Sequence, residues 1–433
     1  MGLADMAMVG HLGANALAAV GMGSMLTWTF MVLGIALRTA TQTVSARRLG
    51  QKKLFECGTA LQNGQILGVL VGIPALCLSL YFNHDIVNFF VEDSAIFSLC
   101  IDYTSICFLS IYFTIACFVF QGFFTGIEKP KIHLHVTVLS NVMNVYLNAG
   151  LIYGSDGVRQ FFESFSLPII SKLWILWSWF EFPAMGVKGA AAATLVASIW
   201  MLVHYSIYLF NSQVKKKFGV FNFSLKPQML IRQIKLAVPH GIQEVLVTGG
   251  FAMFYKIMGL IGTLELASTQ VVFTIMHSSF MPALGVGQAC STLVGKYLGE
   301  ENPEKAEISI VESVIWAVYI MGTMGLVFIL FPKWIIPIFT DDMRLLALSI
   351  PGLIIVGFLQ FIDAIAITLW FALSGAGNTL FPSAVDGALC WLLFLPASYF
   401  TGVVLDIGYL GPWGAFSAYL IILMFILVWK TSL

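Results

Sequence analysis

The chain has 433 residues, of which 59% are hydrophobic and only 10% charged, whereas a soluble globular chain carries about 25% charged residues. So few charges cannot clothe a water-facing surface, which sets aside a soluble protein with merely buried helices. Twenty-two basic residues cancel 22 acidic ones, so nucleic acid is not indicated as a partner. Apolar stretches of bilayer length, about 20 residues each, recur throughout and predict an all-α polytopic membrane protein. In chain order the predicted spans lie near 1–9, 16–46, 53–83, 94–125, 131–153, 187–210, 230–259, 264–296, 303–331, 343–374, 379–402 and 410–430, which makes twelve helices, six per half.

The halves repeat. "MVGHLGANALAAVG" from Met8 aligns with "IMGLIGTLELASTQ" from Ile257, and "ATQTVSARRLG" from Ala40 with "ACSTLVGKYLG" from Ala289, both at an offset of 249. The same offset carries "DIVNFFVED" (85–93) onto "WIIPIFTDD" (334–342) and "FFTG" (ending at Gly126) onto "ALSG" (ending at Gly375). Later, "GVKGAA" at Gly186 matches "GPWGAF" at Gly411 with an offset of 225. The first half therefore holds 24 extra residues, within about 157–182. This is a tandem duplication, and six helices per unit make it a parallel repeat with an axis along the membrane normal. Met1 maps onto Gly250, well inside a helix that starts near Leu230. The parent chain is accordingly expected to carry roughly 20 further apolar residues upstream, and a cleaved signal peptide is not expected.

Three regions follow: an N-terminal lobe over 1–210, a polar linker over 211–229 and a C-terminal lobe over 230–433. Fifteen Lys and Arg residues gather at one end of the spans and five at the other, which predicts cytoplasmic termini for the intact chain; the membrane is expected to be the plasma (inner) membrane. The insertion, dense in Trp and Phe, reads as an outer segment lying at the headgroups, with a short re-entrant cap as the alternative. The seven cysteines form no CxxC and are odd in number, so neither a disulfide framework nor a metal site follows.

A charge in hydrocarbon costs about 2.5–3.5 kcal/mol on insertion scales, so deep ionisable residues need a reason. Arg38 and Lys256 lie near helix ends and can snorkel. Asp386 lies about two turns inside its helix and remains open between a structural and a functional role. Glu244 and Asp363 sit deeper still. Glu244 shares a face with His240 and Thr248, Gln360 precedes Asp363 by one turn, and Gln270, Thr274 and His277 line a third face. Such stripes also serve packing alone in membrane helices. Under the repeat, Asp363 and His277 map onto Thr114 and Trp28, and Asp5 onto Phe254. Ionisable positions do not follow the duplication, which favours function over scaffold.

"ADMAMVGHLGANALAAVG", "ATQTVSARRLG", "ALSGAGNTLFP" and the pair "GVKGAAAAT" and "GPWGAF" together resemble the multidrug and toxic compound extrusion (MATE) transporters, in particular the NorM-type branch. The resemblance spans nearly the whole chain and recurs in both halves. It implies two six-helix lobes facing a central cavity, and a cation-coupled antiporter exchanging Na⁺ or H⁺ for organic, often cationic, compounds. It implies coupling-ion roles for Asp5 on the first helix and for Glu244 and Asp363, with Na⁺ a candidate at the last two. It implies cavity roles for Asn144 and Asn148, whose face also carries Asn141, and for Thr194. Some family branches have Asp where Asn148 stands, and an amide cannot titrate.

Two nearby carboxylates in a medium of low dielectric cannot both stay charged cheaply, so proton, Na⁺ and organic cation become alternative neutralisers. Alternating access of the two lobes would then exchange them. No cofactor and no ATP are implied, since no GxxxxGK[ST] occurs, and no HExxH, GxSxG or CxxC suggests an enzyme. A lipid-linked precursor flippase of similar architecture, expected to have a cationic cavity, is the nearest alternative. A channel and a non-transporting truncated form are the others. A monomer is expected.

Overall fold

The computed structural model describes residues 2–91, 93–163, 172–340 and 342–432. They are helical almost throughout. The first half comprises α1 (Gly2–Val9), α2 (Ala14–Gly50), α3 (Leu54–Tyr81), α4 in two pieces (Ser94–Cys107 and Ser110–Gly126), α5 (Pro130–Glu163) and α6 (Val187–Phe210). The second comprises α7 (Pro227–Ile261), α8 (Thr263–Gly299), α9 (Pro303–Leu330), α10 (Met343–Gly375), α11 (Leu380–Val404) and α12 (Leu410–Thr431). Among the described residues, eight helices are long and apolar enough to cross a bilayer, or nine with the bent pair of α4 taken as one span. The more polar α5 and α8 carry the Asn141, Asn144, Asn148 and Gln270, Thr274, His277 faces.

Local chemistry explains the ends and breaks. Asp93 accepts from the amides of Ala95 and Ile96 and starts α4, while its repeat counterpart Asp342 accepts from the amide of Arg344 and starts α10. Gly154, at φ 71°, breaks α5 into a span and an outer helical piece reaching Glu163, so the fifth helix runs past the expected end at 153. The expected single span 94–125 is bent by 47° between Cys107 and Ser110. In α11, π-helical turns at Cys390–Phe394 and Phe400–Val404 flank Pro396, whose missing N–H cannot close a regular turn. The linker adds a short helix, Ser212–Phe218, capped by Asn211.

The chain packs as two compact units. One contains Met1–Arg38, Gly58–Phe124 and Lys129–Lys226. Its core includes Val9, Val20, Tyr103, Ile152 and Val187. The described part of the insertion folds back on α5: Trp177 stacks on Tyr146 at 4.9 Å and donates its indole N–H to the Tyr146 carbonyl at 2.7 Å. Tyr146 returns a bond to the Leu176 carbonyl, and Arg159 sits over the Trp174 ring. Residues 164–171 of the insertion lie outside the described residues.

The other unit contains Thr39–Cys57, Thr125–Glu128 and Pro227–Leu433. An aromatic core of Phe254, Phe273, Phe394, Trp413 and Phe416 holds its helices. Here the end of α2 crosses the end of α8 at two glycines related by the repeat. A Cβ on Gly50 would lie 1.9 Å from the Lys296 carbonyl oxygen, and one on Gly299 would lie 2.3 Å from that of Arg47. Gln42 donates to Thr292 and to the Gln288 carbonyl, and Thr43 donates to the Ser374 carbonyl.

Candidate functional site

In the first unit the site is built around Asp5, which is wholly buried. Its Oδ1 accepts from the Asn148 amide at 2.6 Å. Its Oδ2 accepts from the Thr194 hydroxyl at 2.7 Å and, at 3.4 Å, from the Tyr103 hydroxyl, which lies 3.0 Å from the Ser24 hydroxyl. Asn144 donates to Thr194, and Asn148 also reaches the Asn144 carbonyl oxygen. Four helices besides α1 thus supply the cage. The spacing of Asn144 and Asn148, one turn apart on α5, is what lets both reach it. Asn148 Oδ1 is buried with no hydrogen-bond partner, leaving an acceptor beside the carboxylate. Asn141, on the same face, bonds instead to the Thr137 carbonyl of its own helix.

In the second unit the candidate carboxylates are Glu244, Asp386 and Asp363. Glu244 lies 3.1 Å from His240 Nε2, and His240 packs edge-on against Trp370 at 4.5 Å. Asp386 accepts from the Gln243 amide at 2.6 Å and from the Tyr419 hydroxyl. Gln243, next to Glu244 in the chain, thus ties α7 to Asp386 of α11. Asp363 is half-buried. Gln360, one turn before it, turns to α8 and accepts from the Ser279 hydroxyl. Gln270, Thr274 and His277 form an exposed face of α8. Among the described residues no group of three or more His, Cys, Asp and Glu is placed to hold a metal ion. A cation at either place would therefore lean on amide and hydroxyl oxygens as well as carboxylate.

Sequence reasoning singles out Asp5, Asn144, Asn148 and Thr194, which the fold brings together in one network. It leaves Asp386 open and passes over Tyr103, Ser24, Gln243 and Tyr419. Only Gln243 had a usable signal, an amide adjoining Glu244 on a membrane helix. The hydroxyls carry none until their neighbours are known.

The sequence profile of the MatE family matches residues 1–149 and 239–400. The chain belongs to the MatE family. Named relatives agree. It is 27% identical over 417 residues to the probable multidrug resistance protein NorM of Thermotoga maritima, covering 95% of this chain and 83% of the relative. It is 25% identical over 448 residues to the multidrug resistance protein NorM of Burkholderia vietnamiensis, covering 100% and 89%. A crystal structure of MATE in the bent conformation superposes with a TM-score of 0.85 at 18% identity, over 100% of this chain and 90% of that one. An outward-facing multidrug resistance MATE family transporter of the MOP superfamily gives 0.86 at 19% identity, over 99% and 90%. The fold is the twelve-helix, two-lobe MATE architecture, and this MATE protein is a multi-pass membrane transporter of the NorM type, not an enzyme.

Proposed function

We propose that this MATE transporter exports small organic cations in exchange for Na⁺ or H⁺, from the cytoplasm across the inner membrane, as a monomer with both ends of the intact chain cytoplasmic. The names of its relatives support multidrug efflux, and the bias of Lys and Arg supports the orientation. The observation that carries the reading is that buried carboxylates are held by neutral donors rather than by a fixed cation: Asp5 by Asn148, Thr194 and Tyr103, and Asp386 by Gln243 and Tyr419. Such a group has no built-in counter-charge, so a mobile cation or a proton can neutralise it, and its donors hold it in place between occupants. Asp5, Glu244 and Asp363 carry the coupling ion. Asn144, Asn148 and Thr194 steady Asp5, and His240 steadies Glu244.

Exchange by alternating access follows if one state prefers the inorganic ion and the other the organic cation. The gradients suffice, at about 2.3 kcal/mol per charge per 100 mV and about 1.4 kcal/mol per pH unit. The test is efflux of a fluorescent organic cation from proteoliposomes with Na⁺ and pH gradients imposed separately. Asp5→Asn, Glu244→Gln and Asp363→Asn are each expected to weaken or uncouple export. Coupling unchanged in all three removes the carboxylates from the mechanism.

A further inference from the structure

On the face of the second unit where basic residues collect, Arg47, Arg48 and Arg232 line a narrow cleft together with Thr43, Val44 and Gln51. Arg48 is paired with Glu56 at 2.9 Å and donates to the Gln51 carbonyl oxygen at 2.7 Å. Arg47 donates to the Ala376 carbonyl just past α10 at 3.3 Å. Arg232 has no hydrogen-bond or ion-pair partner among the described residues, and the like charges of Arg47 and Arg48 both bear on it. Three guanidiniums thus face one carboxylate.

The duplication supplies an internal control. At an offset of 249, Arg47 becomes Lys296, Gln51 becomes Glu300, and Gly377, beside Ala376, has Glu128 as its counterpart. Lys296 is ion-paired with Glu128 at 2.7 Å and feels the negative charge of Glu300. The remaining pair is altered too: Arg48 and Glu56 become Tyr297 and Lys305, with the Lys305 ammonium 5.9 Å from the Tyr297 ring. One copy therefore carries its own counter-charges. The other has a neutral residue at both of those carboxylate positions and is joined by two more arginines. With Glu56 as the carboxylate that answers Arg48 and guanidinium donors left over on Arg232, the cleft is complementary to an anion from outside.

We infer that this cleft binds a phosphate group, either of an anionic phospholipid or of a soluble phosphate. Guanidinium forks match phosphate oxygens in pairs, which favours phosphate over a spherical anion. The Gln51 amide adds a neutral donor at the rim. A bound phosphate would relieve the repulsion on Arg232 and tie the end of α2 to the start of α7. The inference does not depend on the transport reading.

The test uses the full chain, purified in neutral detergent for one arm and placed in lipid nanodiscs for the other. The thermal unfolding midpoint is followed against inorganic phosphate, with sodium chloride at matched ionic strength as reference. In the second arm it is followed in nanodiscs of phosphatidylcholine with and without phosphatidylglycerol. A phosphate-specific rise in detergent assigns a soluble ligand, and a rise with phosphatidylglycerol alone assigns a lipid. Arg232→Gln is expected to weaken the apparent affinity at least about tenfold, as removal of one charged hydrogen-bond partner does. Gln51→Glu, which restores the carboxylate that the other copy has, is expected to abolish the response while leaving the ligand-free protein at least as stable. Lys305→Gln, in the other copy, is expected to change nothing. No response to either probe, or a response that survives both Arg232→Gln and Gln51→Glu, overturns the inference.

Discussion

Asp5 and Phe254 stand at equivalent places in the two halves, yet one is a charge in a cage of donors and the other a ring among rings. Asp5 draws on hydrogen-bond donors from α4, α5 and α6, whereas Phe254 packs on Phe273, Phe394, Trp413 and Phe416. The change extends outward: Ser24, which lies against Tyr103, has Phe273 as its counterpart. The second half has not dispensed with a buried carboxylate. It has moved it to α11 as Asp386, and the hydroxyl that serves it, Tyr419, is the counterpart of Thr194 at the offset of 225. A buried charge relocates only where donors from neighbouring helices go with it, because each unmet polar group is costly. Apolar packing fills whatever place the charge has left.

Moving the charge without its donors is the harshest way to break this contrast. Phe254→Asp puts a carboxylate among aromatic rings, and is expected to cost about 4 kcal/mol or more. Loss of folded, monodisperse protein on size-exclusion chromatography would register it. Asp5→Asn keeps the shape and removes the charge. Efflux in proteoliposomes is expected to fall by about tenfold or more, the value of one charge-assisted bond, with a nearly unchanged melting midpoint. Thr194→Val and Tyr419→Phe sharpen the contrast, since each deletes one hydroxyl donor to a buried carboxylate. Each should cost about 1–3 kcal/mol in chemical unfolding, and similar losses would establish that the two hydroxyls do the same job. The smallest effect is expected for Asn141→Ala, at about 1 kcal/mol or less, with efflux retained, because its amide bonds the backbone of its own helix.

The helices and the duplication are legible in the chain because apolar length reports directly on what a bilayer accepts, and because capping residues such as Asp93 and Asp342 recur at the repeat interval. Asn148 and Thr194 come from the resemblance to the MATE transporters, while Asp5 stands out as a charge in an apolar run. Tyr103, Gln243 and Tyr419 do not, since a tyrosine or glutamine on a membrane helix acquires meaning only when another helix brings a carboxylate to it. Gln360 shows the reverse: helical spacing sets it on the same side as Asp363, but not which partner it takes, and its neighbour is Ser279. The bend in α4 escapes notice for a plainer reason. Phe108 and Leu109 include neither proline nor glycine, and the interruption shows only in the structure, where the Ser110 hydroxyl donates to the Cys107 carbonyl at the break.

The reciprocal glycines Gly50 and Gly299 set a limit on how far the two copies can drift apart. Side chains two and three residues before them have been exchanged, arginine for tyrosine and arginine for lysine, and have taken different partners in the two copies. At the crossing itself the first methyl carbon would meet a carbonyl oxygen at 1.9 or 2.3 Å, so there is no intermediate size through which a substitution could pass. Divergence after duplication is therefore least free where the ancestral backbones touch, and is already visible two and three residues before that point.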